Sequence, residues 1–299
     1  MRPAERGFLL LTCDFGDTER KPLTVPQLRI LASRMALADR QQEERELTVS
    51  DLLSLGYSQP MAERIVSLLS DEPLLAHYLR RGKKCDCEAL SRISPGYPLR
   101  IRKKLGLDAP GCLWVKGDVS LLDAPKISLV GSRELAEDNR MFAQRVGEQA
   151  AKQGYVLVSG NARGADRMAQ NACLEHGGKV ICVVADSLAE KSLDKRILYI
   201  SEDGFDCPFS AQRALSRNRI IHALSEKTFI AQSQLHMGGT WDGSVKNLQQ
   251  GWSEVYCFDD GSPAADALAQ MGATLIGYRQ LGSLQALASD YMNFLSKDE

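Results

Sequence analysis

The sequence lacks the features that mark membrane, secreted and metal-binding proteins. The apolar run at residues 7–13 is too short to span a bilayer, and no small-residue cleavage site of a signal peptide follows it. With 4 histidines and no C-x-x-C pair among its 8 cysteines, the chain offers no obvious set of zinc ligands. We therefore expect a cytoplasmic protein with reduced cysteines, no resident metal or cofactor and no membrane partner.

An excess of charge of one sign is also missing. Lys and Arg number 37 and Asp and Glu 38, so the net charge is −1 and the chain as a whole does not attract nucleic acid. Any basic site must therefore be local. The 44% apolar and 25% charged residues are typical of a folded globular protein, and 299 residues are enough for about two domains.

Two common nucleotide-binding sequences are absent. Gly131 follows a predicted strand, but no second glycine completes G-x-G-x-x-G, and the chain has no Walker sequence. Chemistry that depends on NAD and hydrolysis by a P-loop are therefore disfavoured.

Helical periodicity dominates the first part of the chain. It extends over about residues 24–82, and a helix, glycine turn and helix at 48–70 are typical of helix-hairpin-helix and similar small bundles. Residues 7–13 are interpreted as a buried strand. We expect a mostly helical N-terminal domain at 1–92 and an extended Rossmann-like domain at 93–299.

Strand-like and helical segments alternate from about residue 111 onward. The strand-like segments are 112–116, 127–131, 155–159, 179–184, 197–200, 228–231 and 255–258. Their continuous apolar runs predict strands that are buried on both faces. The predicted fold class is α/β, with a doubly wound, mainly parallel, Rossmann-like sheet.

Three segments follow predicted strands and are rich in glycine and hydroxyl residues: 130–133, 159–166 and 237–243. Ligands bind at the carboxyl ends of parallel strands, where glycines let the backbone approach a phosphate. Arg133 and Arg163 would add charge to such a site. In the alternative interpretation the glycines are ordinary turn residues and the arginines pair with Asp166 or Asp138.

Residues 215–225 are interpreted as one helix. Ile220, Ile221 and Leu224 then share its apolar face, Arg219 points away from that face, and Arg217 lies in line with it one turn earlier. An arginine at that place must be buried with a partner or extend into the cleft at the end of the sheet.

Five segments together suggest a family. They are 130–133 (Val-Gly-Ser-Arg), 159–166 (Ser-Gly-Asn-Ala-Arg-Gly-Ala-Asp), 177–178 (Gly-Gly), 201–202 (Ser-Glu) and 216–225 (Ser-Arg-Asn-Arg-Ile-Ile-His-Ala-Leu-Ser). In order and spacing they resemble the DprA/Smf family of bacterial DNA-processing proteins. With 96–98 and 113–117, the resemblance covers about residues 93–260, and residues 48–70 are more weakly similar to the family's N-terminal helical domain.

The resemblance implies a protein that binds single-stranded DNA in a positive pocket, protects it and helps to load the RecA recombinase in natural transformation. It also implies a homodimer without catalytic activity, so we expect no enzyme. Carried over by motif, the DNA-binding and phosphate-binding residues are Gly131, Ser132, Arg133, Ser159, Gly160, Arg163, Gly164, Arg217, Asn218 and Arg219. Asp166 is expected to support the site by orienting Arg163 or capping the helix.

The chain departs from the family pattern at several places. Asn161 and Ala165 replace larger apolar residues, Gln170 stands where histidine is common, and Gln232 stands where an acidic residue is usual. Residues 237–243 replace a Ser-Gly-Ser-Leu loop, and we expect no C-terminal winged helix of the kind that many members have. We therefore expect a divergent member of the family.

Two other functions use the same loops. Residues 237–242 slightly resemble the phosphate loop of LOG-type phosphoribohydrolases, with Asp242 as the carboxylate that assists N-glycosidic cleavage. A sensor that binds a nucleotide without turnover needs the same phosphate site.

The basic clusters at 80–84 and 100–104 either extend a DNA track or are solvated faces.

Overall fold

The structure is a computed structural model that describes residues 1–17, 19–38 and 46–287. Within these ranges the α-helices are α1 (Pro3–Thr12), α2 (Val25–Leu37), α3 (Val49–Ser54), α4 (Gln59–Ser70), α5 (Glu72–Lys84), α6 (Leu99–Leu105), α7 (Glu137–Lys152), α8 (Ala165–Glu175), α9 (Ala211–Ser216), α10 (Asn218–Leu224), α11 (Gly238–Gln250) and α12 (Pro263–Gln270). The strands are β1 (Glu88–Ser91), β2 (Cys112–Gly117), β3 (Lys126–Val130), β4 (Val156–Ser159), β5 (Lys179–Val183), β6 (Ile197–Ser201), β7 (Lys227–Ile230), β8 (Glu254–Phe258) and β9 (Thr274–Ile276).

These strands form one sheet in the order β1-β2-β6-β5-β4-β3-β7-β8-β9. The pairs β1–β2 and β2–β6 are antiparallel, and the others are parallel. The chain proceeds outward from β3 to β6 and then returns to place β7 on the other side of β3. The strand order therefore reverses beside β3, and such a switch point is where α/β proteins bind ligands. The predicted α/β, mainly parallel, Rossmann-like fold is confirmed.

Helices cover both faces of the sheet. On one face α1, α5, α7 and α8 bury a core that includes Leu129, Phe142 and Phe229. On the other face α6, α10 and α12 pack over a second core that includes Val158 and Ile230. The predicted strand-like segments from 112 to 258 are all strands, with ends within one residue of the prediction. Strands buried on both faces explain why their sequences are continuously apolar.

The N-terminal helices have a small core of their own, with Leu31, Leu52 and Ile65 at its centre. Helices α3 and α4 flank a turn at Gly56, whose φ of +81° favours glycine. Strand β1 lies within residues 1–92 but pairs with β2, so the sheet begins before residue 93. The domain boundary stays a prediction.

The prediction of a strand at residues 7–13 is wrong, because residues 7–12 belong to helix α1 and Cys13 is its C-cap. Pro3 stands in the first turn, and Glu5 accepts a hydrogen bond from the backbone N–H of Arg2, which caps the helix. Leu9 and Leu10 pack into the sheet core while Leu11 packs into the N-terminal helical core. A helix buried on two sides has the same short apolar run as a buried strand.

The single helix predicted at residues 215–225 is also wrong. The segment forms two helices, α9 and α10, which meet at Arg217. The break lets the Arg217 side chain point towards the carboxyl end of β4, where it donates a hydrogen bond to the Gly160 carbonyl oxygen at 2.9 Å.

Within the described ranges no helix is both long enough and apolar enough to cross a membrane.

Candidate functional site

A cleft of about 610 Å³ opens at the carboxyl ends of β3, β4 and β7, beside the switch point. The loop after β3, the loop after β4, the α9–α10 corner and the start of α11 enclose it. Its lining includes Gly131, Ser132, Arg133, Glu134, Ala162, Arg163, Asp166, Leu215, Arg217, Asn218, His222, Gln234, Met237, Gly238, Gly239 and Thr240. The three glycine-rich segments that were predicted to bind phosphate, 130–133, 159–166 and 237–243, therefore all contribute to one cleft.

Close packing of the first two loops explains two of their glycines. A Cβ on Gly131 would lie 2.5 Å from the Cβ of Ala165, and a Cβ on Gly164 would overlap the backbone of Ser132 and Arg133. Gly164 also has a φ of +83°. The Ala165 N–H donates to the Ser132 carbonyl oxygen at 3.2 Å, so the loops are joined by backbone contact. This contact holds Arg133 and Arg163 on the same rim.

The Asp166 side chain organises the second loop. Its Oδ2 accepts hydrogen bonds from the backbone N–H groups of Gly160, at 3.0 Å, and Ala162, at 3.2 Å. Burial raises the pKa of Asp166, and the nearby Arg217 guanidinium opposes that shift. Asp166 therefore orients the loop backbone rather than the Arg163 side chain.

Arg217 is the buried cation of the cleft, with only 7% of the residue exposed. Its guanidinium lies against Gly160, where any Cβ would overlap it. Burial lowers the pKa of Arg217, and the Asp166 carboxylate opposes that shift. The Nε–H of Arg217 is buried and has no hydrogen-bond partner within the described part of the chain. An unfilled charged donor in a cleft favours an anionic ligand.

Arg133 and Arg163 are exposed on the rim of the same cleft. Among residues 1–17, 19–38 and 46–287, neither arginine has a carboxylate within ion-pair distance, unlike Arg219, which pairs with Glu202. The alternative in which they pair with Asp166 or Asp138 is therefore not what the structure shows. The chain has almost no net charge, yet three arginines are directed to one cleft.

Four of the predicted site residues do not line the cleft. Ser159 is fully buried, and its hydroxyl accepts a hydrogen bond from Gln170. Gly160 and Gly164 lie behind the lining and permit the packing just described. Arg219 faces a neighbouring groove and holds both carboxylate oxygens of Glu202. Among the predicted residues, the structure brings together Gly131, Ser132, Arg133, Arg163, Arg217 and Asn218, with Asp166 at their base.

Sequence reasoning missed His222 and Glu134, which both line the cleft. His222 lies within the segment that carries the family resemblance, but its place next to apolar residues gave no signal of function. It is 1% exposed, and burial together with the nearby Arg217 lowers the pKa of its imidazole to about 3. The ring is therefore neutral at physiological pH.

The carboxylate required by the phosphoribohydrolase hypothesis lies outside the cleft. Asp242 is exposed on α11 and lines the neighbouring groove with Arg219 and Lys246. The carboxylates that line the cleft itself are Glu134 and Asp166, and Asp166 is occupied by backbone N–H groups. No group of three or more His, Cys, Asp or Glu side chains that could hold a metal is found in the described ranges.

Comparison with known proteins gives a family match. A family model described as DNA recombination-mediator protein A matches residues 88–277. DNA processing protein DprA of Streptococcus pneumoniae is 34% identical over 141 residues, which are 44% of this chain and 50% of that protein. Protein Smf of Escherichia coli is 29% identical over 185 residues, 56% of this chain and 49% of that protein. The chain thus spans about half the length of these curated relatives.

Two solved structures share the fold. An X-ray structure of DprA from S. pneumoniae matches with a TM-score of 0.73 and 23% identity, covering 96% of this chain and 100% of that chain. A structure of DNA processing protein A from Helicobacter pylori, described as giving insight into that protein's single-stranded DNA binding mode, matches with a TM-score of 0.54 and 24% identity. It covers 71% of this chain and 96% of that chain.

Proposed function

Because the chain belongs to the DNA recombination-mediator protein A family, as the DprA/Smf resemblance of its motifs predicted, we propose that its cleft binds single-stranded DNA. Its relatives are named as DNA-processing proteins, and one is described by its single-stranded DNA binding mode. In this proposal Arg133, Arg163 and Arg217 bind the phosphates, while Gly131, Ser132 and Asn218 shape the cleft around the strand.

One observation carries the proposal: three arginines without carboxylate ion pairs among the described residues face one cleft in a chain whose net charge is −1. A buried arginine costs free energy unless its donors are filled, so the unpartnered Nε–H of Arg217 calls for an anion. Arg133 and Arg163, at the rim, can hold further phosphates of the same strand.

The wider role is proposed from the membership of the chain in this family. The protein protects incoming single-stranded DNA, helps to load the RecA recombinase during transformation, acts as a homodimer in the cytoplasm and has no catalytic activity of its own. The position of Asp242 supports the last point against N-glycosidic cleavage assisted by that residue, because Asp242 lines the neighbouring groove and not the cleft.

Fluorescence anisotropy of a labelled thymidine oligomer tests the proposal. Wild type is compared with the double variant Arg133→Ala, Arg163→Ala, with duplex DNA and a mononucleotide as competitors. The matched control is Lys179→Ala, Arg196→Ala, which removes the same charge at the amino ends of β5 and β6, the opposite edge of the sheet.

We expect the oligomer to bind wild type and the control equally, to lose most of its affinity for the cleft variant, and to be displaced poorly by duplex. Failure of the oligomer to bind, with a mononucleotide raising the melting temperature, would instead support a nucleotide sensor.

A further inference from the structure

His222 is held in one orientation by a hydrogen-bond chain behind the cleft. The backbone N–H of Ser253 donates to Asn247 Oδ1 at 3.0 Å, which fixes the orientation of the Asn247 amide. The Asn247 Nδ2 group then faces His222 Nδ1 at 3.2 Å and Ser253 Oγ at 2.9 Å. The Thr228 hydroxyl lies 3.4 Å from the same Nδ1 and can donate or accept a hydrogen bond. Because the Asn247 NH2 group can only donate to Nδ1, the network assigns the proton of the neutral ring to Nε2.

The Nε2–H end of the ring is turned away from this network. It lies beside Gly243 of α11, where a Cβ would be 3.2 Å from Nε2, and His222 is part of the cleft lining. No hydrogen bond to Nε2 is present within residues 1–17, 19–38 and 46–287. His222, a residue of the cleft lining, therefore carries one unfilled neutral donor.

Arg217, which lines the same cleft, carries a second unfilled donor, because its buried Nε–H has no hydrogen-bond partner among the described residues. A phosphate presents only acceptor oxygens, whereas the edge of a base presents donors and acceptors together. Two donors without acceptors therefore favour a phosphate at this place.

We propose that His222 is a phosphate-binding residue of the cleft, whose Nε2–H donates together with Arg217 Nε–H to one phosphate of the bound strand. This inference rests on the proposed binding of single-stranded DNA, and it assigns the inner phosphate position of that site. His222 acts there as a neutral donor, so it contributes a hydrogen bond but releases no counterion.

The salt dependence of binding separates this role from a structural one. His222→Phe keeps the ring volume and removes the donor, whereas His222→Gln keeps an acceptor for Asn247 and a donor for the cleft. His176→Phe, at an exposed histidine that follows α8, is the matched control. Affinity for a thymidine oligomer is measured by anisotropy over a salt series, with melting temperatures for every variant.

We expect His222→Phe to bind about tenfold more weakly, the effect of one hydrogen bond to a charged group. The slope of log K against log salt should stay at the wild-type value, and His222→Gln should recover most of the affinity. Equal affinity of wild type and His222→Phe would overturn the inference and leave the proposed function standing. Absence of oligomer binding by wild type would overturn the proposed function itself.

A measurement on the wild-type protein covers the case in which His222→Phe does not fold. Long-range ¹H–¹⁵N spectra of the 4 histidine side chains report the Nε2 resonance of His222. We expect this resonance to shift when the oligomer binds while that of His176 stays fixed. An unchanged His222 resonance at saturating oligomer would contradict the inference.

Discussion

The buried, neutral state of His222 makes the stability of the protein depend on pH in a calculable way. Burial and the neighbouring Arg217 lower the pKa of His222 from 6.5 to about 3 in the folded chain. In the unfolded chain the ring takes a proton near its ordinary pKa of about 6.5. The lowered pKa means that His222 favours the folded state above about pH 6.5, and that this contribution is lost as the pH falls towards 3.

The expected loss at pH 5 follows from linkage. The pH is then about 1.5 units below the pKa of the unfolded ring, and each unit corresponds to about 1.36 kcal/mol. Wild type should therefore lose about 2 kcal/mol of unfolding free energy between pH 7.5 and pH 5 through this residue alone. His222→Gln has no such group and should not show this loss.

Urea denaturation of both proteins at pH 7.5 and pH 5 measures the difference. The other histidines and the carboxylates are common to both proteins, so the pH-dependent change in wild type minus the change in His222→Gln isolates residue 222. A constant offset between the two proteins is expected and does not matter. The same pH dependence in both proteins would mean that His222 titrates alike in the folded and unfolded chains, contrary to the lowered pKa.

Further predictions concern the residues that shape the cleft. Gly160→Ala should destabilise the protein by about 2 kcal/mol or more and weaken oligomer binding, because its Cβ would overlap the Arg217 guanidinium. A melting temperature equal to that of wild type would contradict this close packing. Gly7→Ala, in α1, is the matched control, because no atom of the described residues lies within 4 Å of the added Cβ; it should stabilise the protein by about 0.5–1 kcal/mol. Arg219→Ala should change oligomer affinity by less than about twofold, because Arg219 is paired with Glu202 outside the cleft. A larger loss of affinity, measured by anisotropy, would mean that the DNA strand extends into the neighbouring groove.

The sequence predicts the sheet and its ligand-binding edge well, because both depend on local patterns. Runs of apolar, β-branched residues mark strands that are covered on both faces, and a glycine-rich segment after each marks the edge where loops converge. The loops at 130–133, 159–166 and 237–243 therefore meet where they were expected to meet.

What the sequence does not predict depends on contacts between distant segments. The helix expected at 215–225 is interrupted at Arg217, whose guanidinium packs on Gly160, 57 residues away. Ser159 has the composition of a phosphate loop, but Gln170 occupies its hydroxyl. His222 lines the cleft, and Asn247, from another helix, contacts its ring. Spacing along the chain carries none of this information.

In the proposed function, the cleft binds single-stranded DNA through the phosphates that its arginines contact. The most direct measurement is the slope of log K against log salt for a thymidine oligomer, compared between wild type and Arg133→Ala, Arg163→Ala. In the variant the slope should become shallower by about 1.4, since each lost phosphate contact on a single strand contributes about 0.7. An unchanged slope, with the oligomer still bound, would contradict phosphate binding by Arg133 and Arg163 and place the DNA elsewhere on the protein.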